Sequence, residues 1–453
     1  MKYSRKMLIR FSIKNLFLFK EETEFNLLPG KVKRLNHHKY LCGGIEVLKL
    51  TGLYGANGSG KSNLIRSISL LKSMLISGEI PPPFFNQKFK LSKTSLNEPV
   101  ELAIEFFANN LIYYYSVVID DEIIKDEYFG FNGKGQEDEL IFHRRFENNK
   151  ATIYFFNGFD EKSENKILKN VIENDLLKPH QPLFTLLNAI SNPAFSHIKV
   201  AYEWFMQRLI VIFPYTKPFN LPDRIDKKDG FGEFSNKLMA SLNTGISGIK
   251  VEKTSIEEFL GRDNISEIEK VKSNFKRNSE ISFVRHVTNE NEEIVFVNEK
   301  EEIVAKRLFL EHTGENDERI QFKVHEESDG TRRLLEYLPA WEGLLNSDTT
   351  YIIDEIERSI HPLVIKELIE KFSKSSSNRG QLIFSTHETN LLDQEILRAD
   401  EIWFAEKNSL GCSKLYSLSE FKEHNTIDIR KGYLNGRYGA IPFLGTLKEL
   451  NWV

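Results

Sequence analysis

The residues with the clearest chemical potential form a glycine-rich segment, GANGSGKS at residues 55–62, which we call the phosphate loop. This segment satisfies the pattern G-x-x-x-x-G-K-[ST]. It lies between an apolar run typical of a strand and a run with helical spacing of leucine and isoleucine. Glycines let backbone N–H groups turn inward around phosphate oxygens, and the following helix presents its positive N-terminus. The pattern therefore predicts a site for the phosphates of a nucleotide.

Side-chain chemistry suggests individual roles within the phosphate loop. The ammonium group of Lys61 is expected to contact the β- and γ-phosphates of the nucleotide, and the hydroxyl of Ser62 is expected to bind Mg²⁺. The residues predicted to bind the nucleotide here are Gly55, Asn57, Gly58, Ser59, Gly60, Lys61, Ser62 and Asn63. The alternative is a chance glycine turn, which the flanking strand and helix signals disfavour.

A pair of carboxylates ends the apolar run YIIDE at residues 351–355. A buried strand that ends this way places acid groups at the carboxyl edge of a parallel sheet, where ligands bind. Asp354 is expected to hold Mg²⁺ through water, and Glu355 to polarise the water that attacks the phosphate. Taken alone, the pair could also mark a strand that simply meets solvent. In combination with the phosphate loop it favours a hydrolytic site.

Three weaker candidates complete the predicted site. His387 follows the next apolar run, QLIF, where it could sense a γ-phosphate, although a lone histidine at a strand end can also be structural. Ser328 reads as the N-cap of a helix with Gly330 in its first turn, so it predicts either an exposed anion-binding helix start or an ordinary cap. Gln87 lies in a loop from which it could contact Mg²⁺.

Composition limits the class of protein but not its function. The 453 residues are 40% hydrophobic and 28% charged, which is typical of soluble globular proteins and suggests two or three structural units. No apolar run reaches the roughly 20 residues of a membrane span, and the first residues lack a signal-peptide pattern. The only cysteines, Cys42 and Cys412, fit a reducing cytoplasm. We therefore expect a cytoplasmic chain that does not enter a membrane.

Taken together and in chain order, GANGSGKS, ESDGT, YIIDE and STH resemble the motifs of the ABC ATPases, in the branch that contains SMC, RecF and OLD-family heads. The resemblance covers residues 7–108 and 281–453. It implies an α/β fold, namely an ABC-type P-loop NTPase head with an antiparallel β subdomain and an inserted helical subdomain, and it implies ATP and Mg²⁺ as cofactors.

Three segments follow from this resemblance and from the local patterns. Residues 1–158 are expected to form the N-terminal half of the head, with the phosphate loop and a β-meander from about residue 100 to 156. Residues 159–280 carry helical patterns and are expected to form the helical insertion. Residues 281–453 are expected to form the C-terminal half, with strands resuming at about 281–325.

Two departures from the transporter pattern are visible. Where transporters read LSGGQ, this chain has Glu327–Thr331, which retains the serine and the second glycine. Where transporters have an aspartate after the acidic strand, this chain has His361. In the family that this chain resembles, the segment that corresponds to Glu327–Thr331 in one protomer closes over the nucleotide bound by the other protomer. The resemblance therefore implies a homo-oligomer of two or more copies.

The phrases DEIERSIHP and STHETNLLD and the ending RKGYLNGRYGAIPFL are similar to a sub-branch, the ATPase subunits of bacterial anti-phage defence systems such as PARIS, Septu and some retrons. That similarity implies an ATP-driven sensor or clamp. The segment after His387 lacks a TOPRIM or HNH pattern, so an effector such as a nuclease is expected to be a separate protein. The tail residues Tyr433, Arg437 and Tyr438 could equally form a packed closing loop.

Two other functions stay open at this level. One is a DNA repair or recombination ATPase similar to RecF, and the other is a nucleotide-gated scaffold that does not hydrolyse ATP, against which Glu355 argues. DNA is an open partner because the formal charge is −4 and binding would need a local basic patch. The basic segments at residues 31–39, 143–145 and 270–277 could provide one, or could be solvated surface.

Overall fold

The computed structural model describes residues 5–132, 138–148, 150–242, 244–277, 283–287, 293–299, 302–421 and 428–441. The described strands are, in chain order, β1 (Met7–Lys14), β2 (Thr23–Asn26), β3 (Lys39–Cys42), β4 (Ile45–Leu48), β5 (Leu50–Tyr54), β6 (Val100–Ala108), β7 (Leu111–Asp120), β8 (Ile123–Asn132), β9 (Glu139–Glu147), β10 (Lys150–Phe155), β11 (Leu209–Ile212), β12 (Ile246–Ser255), β13 (Phe283–Val287), β14 (Glu293–Glu299), β15 (Glu302–Thr313), β16 (Arg319–Lys323), β17 (Thr350–Ile353), β18 (Gln381–Ser385), β19 (Ile402–Lys407) and β20 (Ser413–Ser417).

The described α-helices are α1 (Lys61–Ser77), α2 (Pro83–Asn86), α3 (Ser163–Val171), α4 (Leu183–Ala189), α5 (Ser196–Glu203), α6 (Leu221–Asp226), α7 (Phe231–Ser241), α8 (Ile256–Leu260), α9 (Ile265–Arg277), α10 (Asp329–Asn346), α11 (Pro362–Lys374) and α12 (Ile429–Leu434). None of these helices has both the length and the apolarity that crossing a bilayer requires. The chain folds into two compact units. The first contains Met1–Pro214, Gly343–Glu357 and Lys366–Val453, and the second contains Tyr215–Glu342 and Arg358–Ile365.

A six-stranded sheet of order β11-β17-β18-β5-β19-β20 forms the centre of the first unit. Its strands run parallel except β20, which pairs antiparallel with β19. Every residue of β5, β17 and β18 is buried, as continuous apolar runs in a covered parallel sheet predict. Because these strands are parallel, their carboxyl ends meet at one edge, and the phosphate loop, the acid pair and His387 follow those ends.

The second sheet of the first unit is antiparallel, with the order β10-β9-β8-β7-β6-β1-β2. Strands β6 to β10 pair in sequence, which confirms the β-meander predicted for residues 100–156. The alternation of buried and partly exposed residues along β7 is that of a sheet with one face in the core and one in solvent. The fold is thus the expected mixed α/β arrangement with an antiparallel sheet.

The first compact unit continues to Pro214, beyond residue 158, where the N-terminal half of the head was expected to end. Helices α3, α4 and α5, with the π-helical turns Ile172–Leu176 and Trp204–Arg208, belong to the first unit. Trp204 stacks on Phe106 of the antiparallel sheet with ring centroids 4.1 Å apart, and Phe184 meets Phe129 edge-on at 5.3 Å. These aromatic contacts cover the apolar face of the sheet, which would otherwise face water.

A buried carboxylate also ties these helices to the antiparallel sheet. Glu127 of β8 accepts hydrogen bonds from the backbone N–H groups of Leu183 (2.7 Å) and Phe184 (3.0 Å), at the start of α4. It further accepts a bond from the hydroxyl of Tyr115 and lies 3.6 Å from the guanidinium of Arg144. Burial raises the pKa of Glu127. Sequence patterns do not reveal this link, because a lone glutamate in a strand gives no sign of its distant partners.

The second unit contains the sheet β12-β15-β14-β13, with β16 paired to β15. Strands β13 to β16 confirm that strands resume at residues 281–325. Strands β11 and β12, however, lie inside the segment predicted to be helical, residues 159–280, so that segment contains helices and two described strands. A small core of Ile256, Ile268, Val271, Ile294, Phe296 and Ala305 holds α8 and α9 on this sheet. The second unit therefore has its own hydrophobic core, which lies between these two helices and the sheet.

We expect Glu127→Ala to lower the free energy of unfolding by about 3–5 kcal/mol, because it leaves Arg144 buried without its counter-charge. Urea denaturation followed by tryptophan fluorescence measures this change. The matched control is Glu24→Ala, which removes an exposed ion pair with Arg10 and should cost about 1 kcal/mol or less. Equal effects of the two substitutions would show that Glu127 does not hold the helices.

Candidate nucleotide-binding site

The phosphate loop takes a backbone conformation that requires glycine. Gly55, Gly58 and Gly60 have φ angles of 149°, 74° and 109°. A Cβ atom at Gly55 would collide with the carbonyl oxygen of Ala405 in β19, and one at Gly60 would collide with the hydroxyl of Ser413 in β20. The loop is therefore held closely against the neighbouring strands, with room for backbone only.

Ser413 supports the phosphate loop from β20. Its hydroxyl donates a hydrogen bond to the carbonyl oxygen of Ser59 at 2.7 Å, and its own N–H donates to the carbonyl of Leu18 at 2.8 Å. Ser413 and Ser59 are both buried. The sequence did not identify Ser413, because a serine in a short strand far along the chain carries no recognisable pattern.

Lys61 is the first residue of α1 and is only 5% exposed. Its ammonium group donates hydrogen bonds to the carbonyl oxygens of Gly55 (2.6 Å) and Ala56 (3.1 Å), so it spans the loop. Burial lowers the pKa of Lys61 to about 8, while the charges of Glu357, Asp354 and Glu355 act in the opposite direction. Burial disfavours the charged form of Lys61. A triphosphate bound in the loop would stabilise that form, because it places negative charge next to the ammonium group.

Asp354 connects three segments of the site. Its Oδ1 atom accepts hydrogen bonds from the hydroxyl of Ser62 at 3.0 Å and from the hydroxyl of Ser385 at 2.6 Å. Its backbone N–H donates to the carbonyl of Ile212 in β11 at 2.9 Å. A hydroxyl and a carboxylate in contact are the oxygen ligands that Mg²⁺ prefers, so the predicted pair Ser62 and Asp354 fits this ion.

Glu355 lies in a tight turn that we call the acidic turn, residues 354–357. Its φ angle is 51°, which is uncommon for a residue other than glycine and is often found at functional positions. Its N–H donates to the hydroxyl of Ser385 at 2.9 Å, and the following N–H, of Ile356, donates to the Ser385 carbonyl at 3.1 Å. The acidic turn is thus fastened to the end of β18.

His387 follows β18 and is exposed, and its N–H donates to Oε1 of Glu357 at 2.7 Å. Partial burial and the charge of Lys61 lower the pKa of His387, and the charges of Glu357, Glu355 and Asp354 raise it. Glu357 was not among the predicted site residues. The signal that points to it in the sequence is its position in DEIE, two residues after Glu355.

The other predicted residues of the first unit have simpler surroundings. Asn57 and Gly58 are exposed at the tip of the loop, and Asn63 is partly buried with its carbonyl accepting a bond from Ser67 (2.8 Å). Within the described residues, the hydrogen bonds of Gln87 use its backbone, with Phe17 and Pro83 as partners. The structure therefore gives Gln87 no link to the acid pair, and its role as a metal ligand stays a prediction.

Ser328 and Gly330 belong to the second unit. The exposed Ser328 accepts a hydrogen bond at its hydroxyl from the N–H of Thr331 at 3.1 Å, which confirms the predicted N-cap of α10. A Cβ atom at Gly330 would lie 2.6 Å from the carbonyl oxygen of Ser359. The helix start is therefore exposed and needs its glycine, and phosphate binding there stays a prediction.

The closing loop near the C-terminus is packed. Tyr433 and Tyr438 are buried and stack on Phe404 of β19, with centroids 5.5 and 5.8 Å away. The hydroxyl of Tyr433 donates to the carbonyl of Ala440 at 3.1 Å. This supports the structural interpretation of Tyr433 and Tyr438; Arg437 lies in the same loop.

Two of the basic segments use their cationic groups within the chain. In the segment 31–39, Arg34 bonds Gln394 and Lys39 pairs with Glu46. In the segment 143–145, Arg144 is buried, as described above. The side chains at the end of the third segment, residues 276–277, lie outside the described residues. Arg34, Lys39 and Arg144 therefore have partners within the chain, and DNA binding by these segments stays a prediction.

Residues 50–393 match a family described as "AAA domain, putative AbiEii toxin, Type IV TA system". The chain belongs to this family. The AAA domain begins at β5 and includes the phosphate loop, the acidic turn and His387, whereas Ser413 lies beyond the matched range. The chain thus combines an AAA domain with a parallel sheet and an antiparallel sheet in a mixed α/β fold. No curated protein matches the chain.

Three solved structures are similar to the AAA-domain chain at low identity. One is an SMC head bound to the C-winged helix domain of ScpA, with 14% identity, a TM-score of 0.42 and coverage of 90% of this chain and 97% of that chain. Another is the SMC head domain from Thermotoga maritima, with 11% identity, a TM-score of 0.37 and coverage of 90% of this chain and 98% of that chain. The third is an Smc head with an extended coiled coil bound to a ScpA domain, derived from Pyrococcus furiosus, with 15%, 0.39, 91% and 96%.

We expect the affinity of the AAA domain for ATP to fall as pH rises above the Lys61 pKa of about 8. Above that pH the free protein holds a neutral lysine, and binding a triphosphate must take up a proton, which weakens affinity by up to about tenfold per pH unit. Titration calorimetry between about pH 7 and pH 9.5 measures the slope. The guanidinium of Lys61→Arg stays charged throughout this pH range. Any affinity for ATP that this variant retains should therefore not fall as the pH rises. A flat profile for the unaltered chain would contradict the role of Lys61.

Proposed function

We propose that the chain binds and hydrolyses ATP as a subunit of a bacterial anti-phage defence system, and that it controls a separate effector, such as a nuclease, through ATP-dependent closure of an oligomer. One observation carries the enzymatic part. The carboxylate of Asp354 contacts the first hydroxyl of α1, Ser62, while the next residue, Glu355, is held in a strained turn beside it. A binding loop without catalysis does not require a second carboxylate in that turn.

The proposed chemistry assigns one task to each group. Mg²⁺, held by Ser62 and Asp354, would offset the negative charge of the phosphates. Lys61 would leave the loop carbonyls and donate to the phosphates. The carboxylate of Glu355 would take a proton from a water whose oxygen bonds to the γ-phosphorus, as the bond from that phosphorus to the β-phosphate oxygen breaks and ADP leaves. His387 would donate a hydrogen bond to the γ-phosphate.

The oligomeric part rests on the exposed start of α10. Ser328 is exposed, and its hydroxyl accepts the N–H of Thr331 and lies 3.0 Å from the Thr331 hydroxyl, at a helix N-terminus, which favours an anion. In the proposal, this helix start contacts the γ-phosphate on a second copy of the chain. ATP would then join two copies, and hydrolysis would release them.

The role in defence rests on the family and on the sequence similarity. The family description names a toxin of a toxin–antitoxin system, which is a system of two components. That description fits a chain that acts with, or is restrained by, a second protein. Co-purification of a tagged chain expressed from its native operon tests this part: we expect a stable partner, and a chain that restricts phage alone would contradict it.

We expect Ser328→Asp to abolish hydrolysis while the fold is kept. Aspartate caps a helix as well as serine, but its charge would repel a γ-phosphate. Turnover and thermal midpoint measure the two effects. If Ser328 is only a cap, the variant should hydrolyse ATP normally, and that result would remove the trans contact from the proposal.

Mixing Ser328→Asp with Lys61→Ala tests whether two copies build one site. Each variant alone should be inactive, since one lacks the phosphate contact and the other lacks ATP binding. An equimolar mixture should recover about a quarter of the turnover, because half of randomly formed dimers are mixed and each has one intact site of two. No recovery, after chain exchange is verified by native mass spectrometry, would indicate a site complete within one chain.

Glu355→Gln should bind ATP but stop hydrolysis, and should accumulate the closed oligomer. Glutamine keeps the shape of the side chain and removes the carboxylate that accepts the proton. Size-exclusion chromatography with light scattering, with and without ATP, measures the oligomer. Lys61→Ala is the control that should remain in the open state with ATP. Hydrolysis by Glu355→Gln at the unaltered rate would show that another group is the base.

A further inference from the structure

Glu357 occupies an unusual place at the edge of the site. It is the last residue of the acidic turn and is partly buried. Its Oε1 atom accepts the backbone N–H of His387 at 2.7 Å. Its Oε2 atom is buried and has no hydrogen-bond partner among the described residues. Burying one carboxylate oxygen without a hydrogen-bond partner costs free energy. We therefore expect the hydrogen bond made by the other oxygen, Oε1, to have a functional role.

That bond is one of four that join the acidic turn to the end of β18. Two use the hydroxyl of Ser385, which donates to Asp354 at 2.6 Å and accepts from the N–H of Glu355 at 2.9 Å. The fourth runs from the N–H of Ile356 to the carbonyl of Ser385 at 3.1 Å. Ser385 is fully buried, whereas His387, two residues later, is exposed. The bond to Glu357 is therefore the one that fixes the chain at the exposed imidazole.

We infer that Glu357 is a positioning residue, which holds the backbone of His387 so that the imidazole and the carboxylate of Glu355 address the same phosphate. Both Glu355 and Glu357 lie in one turn of four residues, so a shift of the turn moves the two together. The inference extends the proposed ATP hydrolysis and rests on it. It assigns a role to a residue that makes no contact with the reacting atoms itself.

Hydrogen bonding and charge can be separated by substitution. Glu357→Gln keeps an acceptor oxygen for the His387 N–H but removes the negative charge, whereas Glu357→Ala removes both. In Glu357→Gln, therefore, kcat should stay within about threefold of the unaltered chain, because the acceptor for the His387 N–H is retained.

The test is steady-state ATP hydrolysis by the full chain. We expect Glu357→Ala to lower kcat by about 10- to 100-fold while KM changes by less than about twofold, because misplacement of a group near the phosphate affects the transition state more than binding. The matched control is Glu173→Ala. Glu173 accepts the N–H of Ile153 at the same 2.7 Å but belongs to the helical region, and its loss should leave kcat unchanged.

A double variant shows whether the effect passes through His387. His387→Ala retains the backbone N–H and removes the imidazole, so Glu357→Ala should cause no further loss of kcat in that background. Hydrogen–deuterium exchange at the His387 amide should be faster in Glu357→Ala and unchanged in Glu357→Gln. This measurement reads the bond itself and does not depend on turnover.

The outcomes distinguish the inference from the function on which it rests. An unaltered chain that does not hydrolyse ATP overturns both. If the unaltered chain is active, normal kcat in Glu357→Ala, multiplied losses in the double variant, or unchanged exchange at His387 each overturn the inference alone. A loss of kcat in Glu357→Gln equal to that in Glu357→Ala also overturns it, since the acceptor would then be irrelevant.

Discussion

Oδ1 of Asp354 accepts two hydroxyl hydrogen bonds at once, from the first turn of α1 and from the end of β18, and the candidate site depends on this convergence. A buried carboxylate is stable only when charged or polar partners surround it. Here Ser62 and Ser385 supply those partners, so the helix that follows the phosphate loop and the strand that precedes His387 are held to the same atom. If a cation replaced the Ser62 hydroxyl as the partner of Asp354, the hydrogen bond from Ser385 to Asp354 could remain.

The order of strands makes this convergence possible. Strand β18 lies between β5 and β17, so the acid pair is one strand removed from the phosphate loop. The spacing of adjacent strands, about 4.8 Å, leaves a gap that a serine at the end of β18 can fill. Ser385 fills it by bonding to both the side chain of Asp354 and the N–H of Glu355. The acidic turn is therefore oriented by its neighbour in the sheet as well as by its own sequence.

Sequence reasoning identified the parts of the site with strong local signals. Consecutive apolar residues placed β5, β17 and β18, and the glycine pattern placed the phosphate loop, because both depend on neighbours in the chain. Ser385, Ser413 and Glu357 were missed as site residues because each acts on a partner that only the folded sheet brings close. The boundary at residue 214 was missed for the same reason: the packing of Trp204 on Phe106 joins segments that no local pattern relates.

The support that β20 gives to the phosphate loop has a consequence for biogenesis. Ser413 holds the carbonyl of Ser59 across 354 positions of sequence. During synthesis, Ser413 leaves the ribosome 354 residues after Ser59. Over that stretch of translation the nascent chain carries the phosphate loop without this brace.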